Sequence, residues 1–499
     1  MRYLCTMKSS FRALLALLIW VFCGLPLRAQ FVHPPKHEYR AVWLATIKGL
    51  DWPKEEHRGD YAAQQAHLRT ILDSLQAIHI NTILLQTRVR GDVIYPSAIE
   101  PFAPVFTGRH GVGPDYDPLA FAIDECHRRG MQLHAWLVTI PLGEAQYVKG
   151  HGKRSLPARK PGQCTRFKGA WYMEPSHPAT AEHLSALVEE ITTRYDIDGL
   201  HFDYIRYPEY SDTYPDASLY AKNRRGMSKA DWRRANITRL MRTLYDRVKA
   251  LKPWVCVSAA TLGKHDDVAR YSSYGWNAYR TVYQEAQRWM REGCIDAIFP
   301  MIYYTDNHFY PFVCDWGEHS CGRHVVAGMG TYQLHPDEKD WTIEELVRQL
   351  HVVRAHPRMA GAAQFRSQFV TGNVKGIYEL LRYLYPYPAL VPPMSWMGVA
   401  PPPSPQHLEV AVSKQALTLT WQAADSLRYN VYGSTTFPVD TSDPANLVAT
   451  CLTDGTFTEH LPSLAQPRHY AVTAMDRFGG ESAPAQWKNG HTPICPKRF

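Results

Sequence analysis

The sequence predicts an α/β protein that folds as a TIM-type (β/α)8 barrel followed by a small all-β sandwich. Between residues 39 and 385, eight short apolar segments rich in β-formers alternate with longer amphipathic segments. The segment 297–302 is apolar at every position, as expected of a strand that is buried on both faces. Parallel strands joined by helices follow from this alternation. Eight repeats rather than five or six favour a closed barrel over an open doubly wound sheet.

The predicted strands and helices account for nearly all elements of such a barrel. The strands are Tyr39 to Thr46, Asn81 to Arg88, Gln132 to Thr139, Gly199 to Ile205, Trp254 to Ala260, Asp296 to Tyr303, His324 to Gly330 and Ala360 to Phe365. The helices lie near residues 61–78, 118–129, 178–195, 231–251, 279–292, 342–355 and 373–384. Only the connection after the sixth strand lacks a clear helix, and it carries an insertion over residues 307–322 instead. The active site of such a barrel lies at the carboxyl ends of its strands.

A proline-rich linker over residues 391–405 divides the predicted barrel, residues 30–390, from a second domain at residues 406–490. Proline runs are stiff, so we expect a semi-rigid spacer. The second domain contains three segments that alternate apolar and polar residues, as half-buried strands do. They are residues 416–421, 428–432 and 469–475. Trp421 and the sequence 470–479 resemble a fibronectin type III module, which usually acts as a spacer or adhesion unit, so we expect the chemistry in the barrel.

Residues 1–29 have the pattern of a secretory signal peptide. Three basic residues precede an apolar run over residues 13–23, and Ala29 ends the segment as a small-residue cleavage site. Bulky residues ahead of Cys23 disfavour a lipoprotein signal. No later apolar stretch is long enough to span a bilayer. The sequence therefore predicts a protein exported to the periplasm, the cell surface or the extracellular space, without a membrane span once the signal is removed.

Composition and motifs narrow the classes of partner. The net charge of +8 falls to +4 when the signal peptide with its four basic residues is removed, an excess too small to favour nucleic acid. The 14 Trp and 29 Tyr suit stacking on sugar rings, although most aromatic residues fill the core. The sequence lacks a glycine-rich phosphate loop, a His-Glu-x-x-His helix and a Gly-x-Ser-x-Gly elbow. We therefore expect a monomer without cofactor or metal, with a cluster of His134, His201 and Asp203 as the one metal alternative.

Eight cysteines follow the signal peptide, and export permits disulfides. Cys314 and Cys321 lie seven residues apart in a stretch typical of a loop, and Cys451 and Cys495 both lie in the last domain. Either pair is therefore a candidate disulfide. The scattered spacing of the cysteines does not match a zinc site.

The segment 196–208 holds the strongest chemical signal, because a helix ends there and a strand rises into a polar, aromatic loop. Side chains alternate along a strand, so His201 and Asp203 should face the barrel axis while Leu200 and Phe202 pack against the outer helices. A carboxylate at the carboxyl end of a barrel strand is placed for acid/base or nucleophilic work. The alternative is a structural salt bridge with a nearby arginine.

Glycosidases generally need two carboxyl groups, one to protonate the leaving oxygen and one to attack or to activate water. Our first choice of partner for Asp203 is Glu174, which ends the third βα loop just before a helix and therefore lies on the same face of the barrel. A carboxylate at that position equally suits a helix cap. Asp51, after the first strand, and Asp306, after the sixth, are the next candidates.

Polar and aromatic side chains at the strand ends describe a wet, aromatic-lined cleft that is suited to holding a sugar. Arg88 and Arg366 are also suited to an acidic group of the substrate, such as a lactyl or uronic carboxylate. Each residue alone is equally well explained as core or rim. The predicted substrate contacts are Trp43, Asp51, Gln86, Arg88, Trp136, His201, Tyr204, Arg206, Tyr303, Tyr304, Tyr332, Gln364 and Arg366.

Several segments resemble signature sequences of the glycosyl hydrolase-like 10 family. They are residues 38–46 with 50–53, residues 196–204 and residues 295–303. The resemblance covers roughly residues 37–385 and implies a TIM-type barrel that hydrolyses glycans, with peptidoglycan strands of the bacterial cell wall as the best substrate. The signal peptide and the fibronectin-like domain are similar to those of Bacteroidetes-type members.

This chain also departs from the family pattern. Many members have Asp-Asp-Tyr where this chain has Asp203 followed directly by Tyr204. Members commonly have Asn or Asp where this chain has Glu174 before the proline of the third loop. The first difference puts a second carboxylate beside Asp203 in doubt, and the second either relocates the acid or replaces a cap.

These observations predict an exported glycoside hydrolase that acts on a β-linked polysaccharide, with Asp203 as the essential carboxylate and Glu174 as the acid. The alternative is a degenerate barrel that binds glycans without cleaving them. A structural adhesion protein that uses the sandwich alone would leave the polar strand ends unexplained. A second carboxyl group within about 5–10 Å of Asp203 distinguishes the enzyme from the binding protein.

Overall fold

A computed structural model describes residues 34–488, apart from positions 270, 272, 274, 306–307, 414–415 and 461–467. The predicted signal peptide, Asp306 and Cys495 lie outside the described residues. The helices within the described part are too short or too polar to cross a membrane.

Eleven strands make up the first part of the fold. They are β1 (Tyr39–Leu44), β2 (Thr82–Arg88), β3 (Gln132–Val138), β4 (Pro141–Glu144), β5 (Cys164–Phe167), β6 (Ala170–Met173), β7 (Gly199–Asp203), β8 (Cys256–Leu262), β9 (Ala297–Met301), β10 (His324–Met329) and β11 (Gly361–Gln364). Eight of them close into a parallel barrel in the order β1-β2-β3-β7-β8-β9-β10-β11, as in a TIM barrel, which confirms the eight predicted strands. The other three form a small antiparallel sheet in the order β4-β6-β5 after the third barrel strand.

Helical segments follow every barrel strand. The helices are α1 (Tyr61–Gln76), α2 (Pro118–His127), α3 (Ala145–Gly150), α4 (Leu156–Arg159), α5 (Pro178–Arg194), α6 (Ala217–Asn223), α7 (Lys229–Leu251), α8 (Ala278–Thr281), α9 (Ala286–Arg291), α10 (Tyr310–Glu318), α11 (Ile343–Ala355), α12 (Ser367–Thr371) and α13 (Ile377–Leu384). The prediction that the connection after the sixth barrel strand lacks a helix is wrong, because α10 lies there. Its nine residues have a proline at the second position and span little more than two turns, too few to show an apolar period.

Cys314 and Cys321 are free thiols, so the predicted disulfide between them does not form. The sequence pattern predicts a loop in this stretch. In the structure Cys314 lies inside α10 and is half-buried, whereas Cys321 follows the end of that helix and is exposed. Because the helix fixes the position of Cys314, the two thiols are not brought together.

The alternation of β7 places its side chains on the predicted sides of the barrel wall. Leu200 and Phe202 join the apolar core between the strands and the helices. His201 faces the barrel interior, where its Nε2 accepts a hydrogen bond from Trp43 Nε1 at 3.1 Å and its Nδ1 donates to Ser258 Oγ at 2.9 Å. Burial lowers the pKa of His201 well below its ordinary value, which keeps the imidazole neutral. This layer fills the barrel interior with packed side chains, so the barrel is not a pore.

Seven further strands form two antiparallel sheets after the barrel. They are β12 (Gln406–Val412), β13 (Ala416–Gln422), β14 (Arg428–Ser434), β15 (Leu447–Leu452), β16 (Thr456–His460), β17 (His469–Met475) and β18 (Ala485–Trp487). One sheet has the order β12-β13-β16 and the other the order β15-β14-β17-β18. Apolar side chains from both sheets meet in one core that includes Trp421, Val431 and Val472. The all-β character of this part of the chain is therefore confirmed.

The two sheets pack against the amino-terminal face of the barrel. Asp196, which precedes β7, pairs with Arg477 of the second domain at 2.8 Å. In the proline-rich segment, Met394 is buried among side chains of the barrel interior, and Trp396 Nε1 donates to Asp296 Oδ1 at 3.2 Å just before β9. This segment therefore covers the amino-terminal end of the barrel instead of running free between two domains.

A buried ion pair joins the end of β2 to the loop that follows it. The Arg88 guanidinium and the Glu100 carboxylate are both inaccessible to solvent and form two N–H···O bonds of 2.7 Å. His183 on α5 lies 2.8 Å from the same carboxylate, measured from Nε2 to Oε1. Burial raises the pKa of Glu100, but these partners outweigh it and lower the pKa to about 2. The pair thus links the end of a strand, through Arg88, to a loop and, through Glu100, to a helix.

We expect Glu100→Gln to lower the free energy of unfolding by about 3–5 kcal/mol, because it leaves the Arg88 charge buried without a counter-ion. The measurement is denaturant unfolding of the purified protein followed by circular dichroism. Glu379→Gln is the matched control, since it removes an exposed carboxylate 3.3 Å from Arg382 and should change stability by less than about 1 kcal/mol. Equal stability of the two variants would contradict a structural role for the buried pair.

Candidate active site

A cleft of about 660 Å³ opens at the carboxyl ends of the barrel strands. Its walls come from the ends of β1, β2, β3, β7 and β9, from the β4–β6 sheet and from the loop that follows β7. Seven of the predicted site residues share this one cavity. They are Gln86, Trp136, Asp203, Tyr204, Arg206, Tyr303 and Arg366.

Asp203 ends β7 and is almost fully buried in the cleft. Both of its carboxylate oxygens accept hydrogen bonds, Oδ2 from Trp136 Nε1 at 3.1 Å and Oδ1 from the backbone N–H of Tyr204 at 2.7 Å. Burial raises the pKa of Asp203 to about 6, although the charge of Arg206 and the two hydrogen bonds oppose this rise. A carboxyl group with this pKa exchanges its proton close to neutral pH.

Arg206 brings a buried positive charge into the same cleft. Its Nη2 lies 3.5 Å from Glu209 Oε1, and its guanidinium lies 4.6 Å from the centroid of the Tyr204 ring. Its Nη1 is buried and has no hydrogen-bond partner within the described part of the chain. A buried donor without a partner is unfavourable unless a ligand supplies the acceptor.

Tyr303 forms part of the wall at the end of β9. Its ring packs between Tyr332 and Phe365, with centroids 5.5 Å away in each case. Its hydroxyl is buried and makes no hydrogen bond to any residue that the structure describes. Burial and then the charges of neighbouring groups, including Asp203, raise the pKa of Tyr303 well above its ordinary value, so the hydroxyl stays protonated. Arg206 and Tyr303 thus supply two free donors near one carboxylate.

Three further predicted residues, Arg366, Asp51 and Gln86, shape the rim of the cleft. Arg366 Nη1 contacts Asp51 Oδ1 at 2.5 Å, and Asp51 Oδ2 accepts the backbone N–H of Ala45 at 2.7 Å. Gln86 Oε1 accepts the backbone N–H of Ile47 at 2.9 Å. Asp51 and Gln86 therefore fix the backbone after β1, and Asp51 holds the arginine that lines the rim.

Other predicted site residues do not line the cleft. Trp43 and His201 fill the layer beneath it, and Arg88 is engaged with Glu100. Gln364 accepts a hydrogen bond from Thr331 Oγ1 at 2.6 Å. The predicted residues outside the cleft lining are Trp43, Asp51, Arg88, Glu174, His201, Tyr304, Tyr332 and Gln364.

Glu174 is buried in a hydrogen-bonded network of its own. Its Oε1 accepts from Ser176 Oγ at 2.8 Å, and its Oε2 accepts from Tyr214 OH at 3.1 Å and from Thr165 Oγ1 at 3.2 Å. Both oxygens are therefore engaged by side chains around the start of α5. The cap of α5 is His177, whose Nδ1 accepts the N–H of Ala179 at 3.1 Å, so Glu174 does not take the alternative role of helix cap. Its carboxylate instead joins side chains of the loops ahead of the helix.

The cleft contains residues that the sequence analysis missed. They are Arg90, Glu144, Phe167, Lys168, Tyr172, Glu209, Tyr210 and Phe365, among others. Half of them come from the β4–β6 sheet, whose strands have only four residues each and so show too little alternation to detect. The one available signal is the aromatic spacing on either side of the Lys168-Gly169 turn, which is typical of a hairpin.

One family model and several curated relatives match the chain. The family model described as Glycosyl hydrolase-like 10 matches residues 38–318, which is more than half of the chain and includes Asp203. Glycosyl hydrolase YngK of Bacillus subtilis (strain 168) is 28% identical over 505 residues, which cover 95% of this chain and 98% of that protein. Glycosyl hydrolase DigH of Escherichia coli (strain K12) is 29% identical over 366 residues, which cover 66% of this chain and 83% of that protein.

One solved structure similar to this chain is the glycoside hydrolase domain of PgaB (BpsB) from Bordetella bronchiseptica. It covers 70% of this chain and 99% of its own chain, at 16% sequence identity and a TM-score of 0.48.

We expect Arg206→Met to raise the pKa of Asp203 above its value of about 6, because the guanidinium charge favours the ionised carboxylate. Carbon-13 NMR of protein labelled at the aspartate carboxyl groups reports the titration, and Asp203→Asn identifies the signal. Lys168→Met is the control, since this cleft cation lies over the Tyr210 ring and should leave the pKa of Asp203 unchanged. An equal shift in both variants would mean that the effect is not specific to Arg206.

Proposed function

The chain belongs to the glycosyl hydrolase-like 10 family and is a glycoside hydrolase, and from this premise we propose that it cleaves a bacterial polysaccharide by carboxylate chemistry centred on Asp203. One observation carries the proposal. Asp203 is a buried carboxylate in an aromatic-lined cleft, with a pKa of about 6. Acid/base catalysis is most efficient when the pKa of the group lies near the working pH.

We assign Asp203 to the ionised role, as nucleophile or as general base. Two N–H donors, from Trp136 and from Tyr204, point at its two oxygens, and such donors stabilise the negative charge. They also fix the orientation of the carboxylate toward the cleft. An oriented carboxylate either attacks the anomeric carbon or activates a water beside it.

We propose Glu209 as the second carboxylate of the reaction in place of Glu174. Glu209 lines the cleft six residues after Asp203, and its charge acts on the cleft tyrosines Tyr172 and Tyr204. Glu174 has both oxygens engaged by neighbouring side chains and is absent from the cleft lining. Glu144 also lines the cleft, from β4, and serves as the natural comparison.

The substrate that we propose is the glycan strand of cell-wall peptidoglycan. Tyr172, Tyr204 and Phe365 offer flat apolar faces on several sides of the cleft for stacking against sugar rings. Arg90 lines the cleft without a carboxylate partner in the described part of the chain, and Arg206 has a free Nη1. A glycan strand of amino sugars that bear lactyl carboxylates presents both the apolar ring faces and the negative charges that this lining recognises.

The proposal extends to location and to the second domain. We propose that residues 1–29 direct export, so that the barrel reaches the cell wall, since this segment joins basic residues to an apolar run and a small-residue end. We also propose that the two C-terminal sheets are a fibronectin type III-like module. The ion pair of Arg477 with Asp196 and the burial of Met394 favour a supporting role for this module over a catalytic one.

We expect Asp203→Asn and Glu209→Gln each to lower the rate of glycan cleavage by about 10²–10⁴-fold, because each removes one half of the carboxylate chemistry. The measurement is the release of reducing ends from peptidoglycan and from peptide-free glycan strands, with products identified by mass spectrometry. Glu144→Gln is the matched control and should stay close to the parent rate, since it removes another glutamate of the same cleft.

Two outcomes would overturn these assignments. Full activity of Asp203→Asn would remove Asp203 from the centre of the reaction. A loss of activity in Glu174→Gln but not in Glu209→Gln, at unchanged thermal stability, would restore Glu174 as the acid. Binding of the strands without any product from the parent protein would contradict peptidoglycan as the substrate that is cleaved.

We expect kcat/KM to fall about tenfold for each pH unit below about pH 6, because protonation of Asp203 removes the ionised form that the reaction uses. The sign follows from the assigned role, since a proton donor would instead lose activity as the pH rises through the same value. Initial rates of reducing-end release across this range measure the profile. An activity that increases below pH 6 would make Asp203 the acid and exchange the two roles.

A further inference from the structure

Two large aromatic side chains stand in solvent at the outer end of the cleft. Tyr210 is 59% exposed and Trp276 is 40% exposed, although side chains of this size are usually buried. Their ring centroids lie 5.4 Å apart, with the ring planes nearly perpendicular. Tyr210 follows the loop that carries Arg206 and Glu209 and lines the cleft itself, so the aromatic pair continues the cleft outward.

Lys168 adds a positive charge to this pair. Its Nζ lies 4.0 Å from the centroid of the Tyr210 ring, and no described carboxylate lies within ion-pairing distance of it. The ammonium is therefore attracted by the ring and remains available to an anionic ligand. Since Lys168 also lines the cleft, charge and aromatic surface meet at one place.

Backbone geometry holds these residues in position. Lys168 has a φ of 45° and Tyr210 a φ of 59°, the left-handed region that non-glycine residues rarely adopt. Lys168 occupies the turn between β5 and β6, and Gly169 completes that turn with a φ of 84°. Unfavourable backbone conformations persist where the surrounding structure imposes them, and they are common at ligand sites.

We propose that Lys168, Tyr210 and Trp276 form a distal glycan subsite, which binds the same polysaccharide chain several sugar units away from Asp203. The proposal rests on the proposed function, because the occupant is the strand that the cleft cleaves. A chain that fills the cleft past Tyr172 and Glu209 meets Tyr210 next, and Trp276 extends the surface beyond the cleft. The aromatic faces stack on sugar rings, and the ammonium binds a carboxylate on the chain.

The distal subsite makes the protein selective for long strands. A short oligosaccharide that spans only the cleft does not reach Trp276, whereas a longer strand gains its contacts. We expect binding affinity to rise with chain length, and we expect this rise to depend on the aromatic pair. The substrate class is therefore an extended, acidic polysaccharide and not its short fragments.

Calorimetry on the full chain tests the subsite without interference from cleavage. The parent is Asp203→Asn, and the ligands are peptide-free peptidoglycan strands of two lengths, about four and about twelve sugar units. We expect the double variant Asp203→Asn/Trp276→Ala to bind the long strand about tenfold more weakly and the short strand equally well. Trp276→Tyr should restore most of the affinity, since it keeps an aromatic face.

Tyr383→Ala is the matched control. Tyr383 is 69% exposed on α13 and does not line the cleft, so its removal should leave both affinities unchanged. Equal affinity of Asp203→Asn for the two strand lengths, or equal loss of both on Trp276→Ala, would overturn the distal subsite while the proposed function stands. Failure of Asp203→Asn to bind either strand at retained thermal stability would overturn both proposals.

Lys168→Met tests the charge of the subsite separately. In the same Asp203→Asn background, we expect it to weaken binding of the lactyl-bearing long strand by several-fold and to leave binding of a neutral chitin oligosaccharide of equal length unchanged. An equal effect on the charged and the neutral chain would contradict recognition of a carboxylate by Lys168.

Discussion

The pairing of β3 with β7 is the constraint on which the site depends. Between these strands the chain forms the β4–β6 sheet and helix α5, yet it returns so that Val138 lies beside Asp203. This register brings Trp136 Nε1 to Asp203 Oδ2, and Thr139 closes the pair by donating its N–H and its hydroxyl to the Asp203 carbonyl. A slip of one residue would turn Asp203 toward the helices and Phe202 into the barrel. The observed register therefore places the Asp203 carboxylate in the cleft.

The burial that orients Asp203 also opposes folding. Because the folded protein raises the pKa of Asp203 above its ordinary value of 3.8, stability from this group decreases as the pH rises from about 4 to about 6. Arg206 Nη1 and the Tyr303 hydroxyl add two buried donors without described partners. Each unsatisfied group costs about 1–3 kcal/mol. Buried polar groups without hydrogen-bond partners are found mainly at functional sites, where a ligand completes the hydrogen bonds.

The features that can be predicted from the sequence are those that depend on a local pattern of residues. The barrel strands and the inward direction of Asp203 follow from apolar runs and from a period of two residues, and the structure agrees with them. The choice among carboxylates is different, because Glu174 and Glu209 both lie in loops at the same barrel face. Only hydrogen bonds that arise on folding, such as that of Glu174 with Tyr214, separate them. The distal pair of Tyr210 and Trp276 is equally invisible in sequence, since 65 residues separate its members.

The second domain and the cleft lie at opposite faces of the barrel. The C-terminal sheets contact the amino-terminal face through Arg477, whereas Asp203 opens on the carboxyl-terminal face. A seven-residue strand such as β3 separates these two faces by roughly 20 Å. The residues that line the cleft accordingly come from barrel strands and loops, such as the Lys168 turn, and not from the sheets. The sheets instead lie at the amino-terminal ends of the barrel strands. There Met394 and Trp396 of the proline-rich segment cover a barrel interior that is already packed.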